Sequence, residues 1–239
     1  ERGPATVIGT GWSYSATVAN GTTYQFNVRE TDLAGNTSDA TSNFAVTGDI
    51  TSPTISSVTA GWGTSLNATE DNSAGTATVV TSGAENGQTV TVSLNGTNYT
   101  GTVSDNSTSV TVSAAGLQSL TDGISYTLTT NVSDAAGNAA TENTGTSFTY
   151  DITSPTISGG VTISSASGVQ NSLLNDGDNV SVTATFSESV IVENASGTPT
   201  LTLVVGGTNR TATYTSGSGS TPLVFQYTIQ AGETDDNGI

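Results

Sequence analysis

Apolar residues stand at every second position through much of the chain, separated by Thr, Ser or Asn, which is the period of a strand with one buried face. Between positions 51 and 152 the alternation runs over Thr76–Thr81, Thr89–Leu94, Tyr99–Ser104, Ser109–Ala114, Ser125–Val132 and Thr146–Tyr150. β-Branched and aromatic side chains suit a pleated, half-buried surface, so each stretch predicts a strand. Turn residues punctuate them at Glu85-Asn86-Gly87, Asn95-Gly96, Ser104-Asp105-Asn106, Asp122-Gly123 and Asp134–Asn138. A further strand after Pro53 brings the number to seven, and Ala114–Leu120 predicts at most a turn or two of helix. The pattern specifies an all-β fold.

The pattern also repeats. Asp-Ile-Thr-Ser-Pro-Thr-Ile-Ser fills Asp49–Ser56 and recurs at Asp151–Ser158, so from position 49 to position 151 the shift is 102. Asp-Leu-Ala-Gly-Asn at Asp32–Asn36 returns by the same shift as Asp-Ala-Ala-Gly-Asn at Asp134–Asn138. Two markers with one shift define a module, and about 100 residues in seven strands is an immunoglobulin-like sandwich. Tandem modules of this kind divide the chain into three. Residues 1–50 form the C-terminal half of a module and 51–152 a complete one. Residues 153–239 belong to a module of a second subtype that stops before its C-terminal end. Pro53 and Pro155, just past each boundary, suit the start of an edge strand. Trp12, Tyr24, Phe26, Tyr126, Phe148, Phe186 and Phe225 fall on strand patterns as core anchors. Trp62, between Gly61 and Gly63, is the aromatic nearest to an exposed position, although burial is expected for it too.

Composition then narrows the chemistry. Three arginines against 20 acidic residues leave a net charge of −17, with no lysine. Such a surface does not neutralise phosphates, so nucleic acid and anionic membranes are poor partners. No apolar run reaches the roughly 20 residues of a membrane span, and an export signal is expected outside this sequence. With no histidine and no cysteine there is no Ser-His-Asp triad, thiol nucleophile or ordinary zinc site. Paired carboxylates could hydrolyse glycosides, but the acids fall in turns, where no deep cleft is expected. Asn20-Gly-Thr and Asn95-Gly-Thr match glycosylation acceptors, as a Thr-rich chain does by chance.

The segment Thr81–Thr100, the Asp134–Asn138 loop and the Asp-Ile-Thr-Ser-Pro-Thr-Ile linkers resemble the bacterial Ig-like repeats of giant type I-secreted and biofilm-associated adhesins. Asp176-Gly177-Asp178, Thr185–Val190, Thr198–Leu203, Ala212–Gly219 and Glu233–Ile239 are similar to repeats of large bacterial surface and swimming-motility proteins. This resemblance implies an extended rod of modules projecting a binding domain from a cell surface, with calcium stiffening the junctions. It implies no enzyme, and its partners are neighbouring modules of the same chain.

Topology says where calcium would sit. In a seven-stranded sandwich of this order, the loops after the second, fourth and sixth strands gather at the pole where the chain enters. In residues 51–152 those loops carry Glu85, Asp105, and Asp134 with Asn138, and the linker brings Asp49. Hard cations take six to eight oxygens from carboxylates, amides, carbonyls and water. Asp49, Glu85 and Asp134 supply the charge and Asn138 an amide oxygen; Asp105 is assigned to its turn. At the second junction Asp151 is the linker acid, and Glu188, placed after a second strand, stands where Glu85 stands. Glu70, Asp71 and Asp122 fall at the exit pole of residues 51–152, and Asp176, Asp178, Asp235 and Asp236 at that of the third module. Asp, Asn and Gly are equally the ordinary residues of tight turns. Two other functions fit the same features: a surface-layer, sheath or fibre subunit whose copies join by strand addition, and a carbohydrate- or protein-binding module.

Overall fold

The computed structural model describes residues 5–8, 11–171 and 173–234. The chain is all-β and divides between Ile152 and Thr153 into two compact units. Among the described residues up to position 50, β1 (Thr6–Ile8) pairs with β2 (Gly11–Ser13) and β3 (Thr23–Phe26) with β4 (Phe44–Thr47), each antiparallel. The first unit continues with β5 (Thr54–Ala60), β6 (Ser65–Leu66), β7 (Gly75–Ser82), β8 (Thr89–Leu94), β9 (Thr97–Thr102) and β10 (Ser107–Val112). A single helical turn, α1 (Ala114–Leu117), leads to β11 (Ser125–Tyr126), β12 (Thr129–Val132), β13 (Asn143–Thr144) and β14 (Phe148–Tyr150).

Residues 51–152 make an immunoglobulin-like β-sandwich. One sheet has the order β10-β7-β5. Opposite it lie two sheets, β13-β12-β8-β9 and β11-β14-β6, in which β6 runs parallel to β14. Alternation along β7, β8 and β10 sends Ala77, Val79, Val90, Val92, Leu94, Val110 and Val112 into one core with Leu66, Leu128, Phe148 and Tyr150. Burying one such side chain contributes about 1.5–3 kcal/mol. Trp62 is buried, with its ring edge-on to Phe148 at 5.2 Å. A Cβ at Gly75 would stand 2.6 Å from two ring carbons of Trp62, so glycine alone fits beneath the indole.

β9 and β10 each begin two residues before the alternation suggests. Asn95 and Gly96, at φ 49° and 78°, form a two-residue turn that releases the chain directly into β9. Asp105 and Asn106, at φ 50° and 63°, do the same before β10.

The β3–β4 hairpin repeats the two closing pairs of β11–β14 and continues for two more. Tyr24 pairs with Val46 as Tyr126 pairs with Phe148. The Gly21 amide reaches the Gly48 carbonyl at 2.7 Å, and Gly123 reaches Tyr150 at 2.8 Å. Burial differs: Phe148 is 1% exposed, whereas Val46 is 37% and Phe44 69% exposed. Tyr24 and Phe26, expected in a core, are only half-buried, because their sheet has two strands. The side chain of Trp12 lies outside the described residues, as do Asp235 and Asp236.

The second unit is one antiparallel sheet in the order β15-β16-β19-β18-β17. Its strands are β15 (Ile157–Ser167), β16 (Asn179–Val190), β17 (Thr200–Val205), β18 (Thr208–Ser216) and β19 (Ser220–Thr228). Val180, Val182, Ala184, Leu223, Phe225 and Tyr227 form its core, with Phe186 half-buried against it. Glu233 accepts from the Tyr227 hydroxyl at 2.6 and 2.8 Å, from the Gln230 amide at 2.9 Å and from Arg210 Nε.

Candidate junction site

The pole at which the linker enters the sandwich is assembled from three turns. Between β7 and β8, Asn86 accepts from the Asp105 amide at 2.8 Å and returns Nδ2 to Asp105 Oδ1 at 3.3 Å. That pairing ties the first turn to the second and occupies Asp105. Glu85 Oε2 accepts from the Ala135 amide at 2.8 Å, tying the first turn to the loop between β12 and β13.

The third turn is organised by Asp134, which is 3% exposed. Its Oδ1 accepts from the Asn138 amide at 2.7 Å and its Oδ2 from Asn138 Nδ2 at 2.8 Å. Gly137, at φ 93°, supplies the left-handed backbone that closes the loop. The side-chain bond from Asn138, with backbone amides behind it, holds the Asp134 carboxyl below its usual range despite burial. Asp32 is lowered for the same first cause by Asn36, in the identical loop around Gly35 at φ 92°.

The loop then reaches the linker. Asn138 Nδ2 donates to the Asp49 carbonyl at 3.2 Å, and Asp49 Oδ1 accepts from the Thr51 amide at 3.0 Å. Asp49, Glu85, Asp134 and Asn138 therefore meet at one pole in a hydrogen-bonded net. Asn138, expected to offer an oxygen, turns its N–H groups inward and clamps acceptors instead. Among the described residues, no three acidic side chains close into a group that could hold a metal ion.

The other expected acids belong to different units. The Asp151 amide donates to the Leu66 carbonyl at 2.9 Å, in the first unit. Glu188, expected in a loop after a strand, lies within β16 of the second unit, where the register with β19 shifts between Thr185 and Val190. Its Oε1 is buried with no hydrogen-bond partner. A strand bulge has no turn signature, which is why the sequence misplaces it. Asp178 caps its own turn by accepting from the Asn175 amide at 2.6 Å.

Two functional contacts escaped sequence reasoning. Buried Asp71 accepts from the Tyr150 hydroxyl at 2.7 Å, and this bond, with desolvation, pushes the phenol up to about 12. Asn20 Oδ1 accepts from the Ile50 amide at 3.0 Å, while its Nδ2 donates to Thr51 Oγ1 at 2.7 Å. Asp122 Oδ1 accepts from the Ile152 amide at 2.9 Å. Positions 20 and 122 are one repeat apart and each precedes glycine, so the shift of 102 held the signal for this linker clasp. Away from the pole, an open depression of about 260 Å³ beside Trp62 is lined by Leu66, Glu70, Gly75 and Leu117. It holds one carboxylate and hence no acid–base pair.

No protein-family model matches the chain, and no curated protein matches it. Among solved structures it is similar to part of a 1.5-MDa bacterial ice-binding adhesin, at 26% identity over 84% of this chain and 62% of that one, TM-score 0.40. It is similar also to a Ca²⁺-stabilized adhesin of an Antarctic bacterium, at 26% identity over 87% of this chain and 48% of that one, TM-score 0.37. A third is a bacterial immunoglobulin-like domain of the M. primoryensis ice-binding adhesin, at 30% identity over 42% of this chain and 95% of that one, TM-score 0.30. The chain thus spans less than two thirds of the first two. It resembles bacterial Ig-like adhesin repeats.

Proposed function

We propose that this chain is a non-catalytic spacer in the stalk of an extracellular bacterial adhesin, acting through the joint between consecutive modules. The observation that carries the reading is the linker held from both sides: Asn20 grips Ile50 and Thr51, and Asn138 grips the Asp49 carbonyl. A spacer transmits length only if its joints resist bending, and a linker hydrogen-bonded to the repeat before it and the repeat after it has few free torsions. Partners in this role are neighbouring modules of the same chain.

Calcium is the finer part of the proposal. Asp49, Glu85 and Asp134 approach one pole from three segments, and an ion there would offset their mutual repulsion. Asn138 would position Asp134 without ligating.

Calorimetry and small-angle scattering with calcium or chelator test both parts. A ligand that binds only the folded state adds about 2.7 kcal/mol at a hundredfold excess over its Kd. Chelation is expected to lower the melting temperature and shorten the maximum dimension. Asp134→Ala should remove most of that response and Asp49→Asn part of it, with Asp105→Ala leaving it intact. Identical melting and scattering with and without calcium would dismiss the ion. The clasp is tested separately by Asn20→Ala with Asn138→Ala, which should shorten the maximum dimension even under chelation; unchanged scattering would dismiss the stiff joint.

A further inference from the structure

Three Asn-Gly pairs fall among the described residues: Asn20-Gly21, Asn86-Gly87 and Asn95-Gly96. Asparagine followed by glycine is chemically fragile. With no Cβ on the second residue to obstruct it, the backbone nitrogen can reach the asparagine side-chain carbon and displace ammonia. All three asparagines are exposed, so water reaches each of them. The bonds around them differ.

At the first pair, Asn20 Oδ1 accepts from the Ile50 amide at 3.0 Å and Nδ2 donates to Thr51 Oγ1 at 2.7 Å. The Gly21 amide donates to the Gly48 carbonyl at 2.7 Å. At the second, both ends of the Asn86 side chain are bonded to Asp105, and the Gly87 amide donates to the Val103 carbonyl at 3.0 Å. In both pairs the side chain and the attacking nitrogen are tied to other partners, and those ties must open before the two can meet. The third pair is different. Asn95 and Gly96 make the two-residue turn between β8 and β9, closed by the strand pair Leu94 with Thr97. Among the described residues, the Asn95 side chain has no hydrogen-bond partner and the Gly96 amide reaches no backbone carbonyl. A Cβ added at Gly96 would meet nothing within 4 Å, so the turn is open to solvent there.

We propose that Asn95 is a self-modification site, at which the folded chain deamidates with water as co-reactant. The Gly96 nitrogen loses its proton and attacks Asn95 Cγ. The new C–N bond closes a succinimide ring as the Cγ–Nδ2 bond breaks, and Nδ2 departs as ammonia with the proton. Water then opens the ring in one of two ways. Attack at Cγ breaks the new C–N bond and gives aspartate. Attack at the Asn95 backbone carbonyl breaks the original peptide bond and gives isoaspartate, whose main chain runs through the side chain. Either product adds a negative charge to a stretch that has none between Glu85 and Asp105. Isoaspartate also lengthens the turn by a methylene beside Leu94, a core residue 2% exposed. The tip between β8 and β9 is therefore where this chain ages first, while the bonds that clasp the linker also keep Asn20 intact.

Incubating the full chain at mildly alkaline pH in water enriched in heavy oxygen, followed by proteolysis and peptide mass analysis, tests this. The Asn95 peptide should take up the label and, beyond it, gain about one mass unit as an amide becomes an acid. Its rate should exceed those of Asn20 and Asn86 by about tenfold or more, because each of theirs waits on the opening of several hydrogen bonds. The Asn95 rate should also rise with pH, since the Gly96 N–H must ionise. In denaturant the three rates should converge, because only the shared dipeptide remains. Three results overturn the proposal: equal rates at the three pairs in the folded chain, Asn20 or Asn86 converting ahead of Asn95, or no label at Asn95 in the folded chain when the denatured chain takes it up there. Calcium and chain dimensions enter none of these outcomes, so they stand apart from those for the junction.

Discussion

Residues 19–52 and residues 121–154 are the same hairpin in two settings. Both close with a glycine amide on a carbonyl across the turn, both tie the tyrosine hydroxyl to a backbone amide five residues back, and both clasp the departing linker with an Asx side chain. Phe148 of the second is buried, whereas Phe44 and Val46 of the first are exposed. Local hydrogen bonding is thus complete without the core, because each bond closes between residues near in sequence. Burial depends on strands from elsewhere, and stability follows burial.

Core truncation separates the two hairpins furthest. Phe148→Ala should cost about 3–5 kcal/mol in denaturant unfolding followed by Trp62 fluorescence. Val46→Ala, at the equivalent position, should change it by less than about 0.5 kcal/mol. Equal costs would mean the first hairpin is buried in solution. A smaller contrast arises where the repeat itself differs, since Gly48 stands where Tyr150 binds Asp71. Tyr150→Phe leaves a buried carboxylate without its donor and should cost about 1–3 kcal/mol. The phenol is raised to about 12 in the folded state, so its contribution is complete below the ordinary tyrosine value near 10 and is lost as pH rises toward 12. Base titration should show a larger loss in the native chain than in the variant, where the raised phenol of Tyr227 still titrates.

The least separation is expected in acid. Asp32 and Asp134 are both lowered, so each stabilises its loop above the ordinary carboxylate range and loses that effect as pH falls through its folded-state value. Amide exchange at Asn36 and Asn138 should therefore accelerate together on acidification. Opening of one loop alone would show that burial, not the shared turn chemistry, sets the titration.

Alternation and turn residues made the sandwich legible, since period two and glycine-bearing turns are local properties. Strand starts shift by two residues after the left-handed Asn95, Asp105 and Asn106, and the short β6 and β13 carry no alternation of their own to announce them. The sequence also marked the loops that meet at the entry pole, but not the direction of the Asn138 amide, which depends on the Asp49 carbonyl across the joint. Asp71 and Tyr150 lie 79 positions apart, and no spacing rule links them. Tyr24 and Phe26 fall on a strand pattern, and that pattern does not say which strands cover the face it marks.

The parallel pairing of β6 with β14 bears on how a module carries load. The chain enters the sandwich on β5, passes to β6 and leaves from β14, and β6 and β14 point the same way. Traction on the two ends of residues 51–152 would slide one strand along the other and stretch Thr149 N to Thr64 O and Asp151 N to Leu66 O simultaneously. Bonds strained in shear rupture in concert, whereas an antiparallel pair pulled from one end unzips one bond at a time. The first strand of the fold, split between two sheets, thereby places a shear-loaded latch beside the outgoing tether.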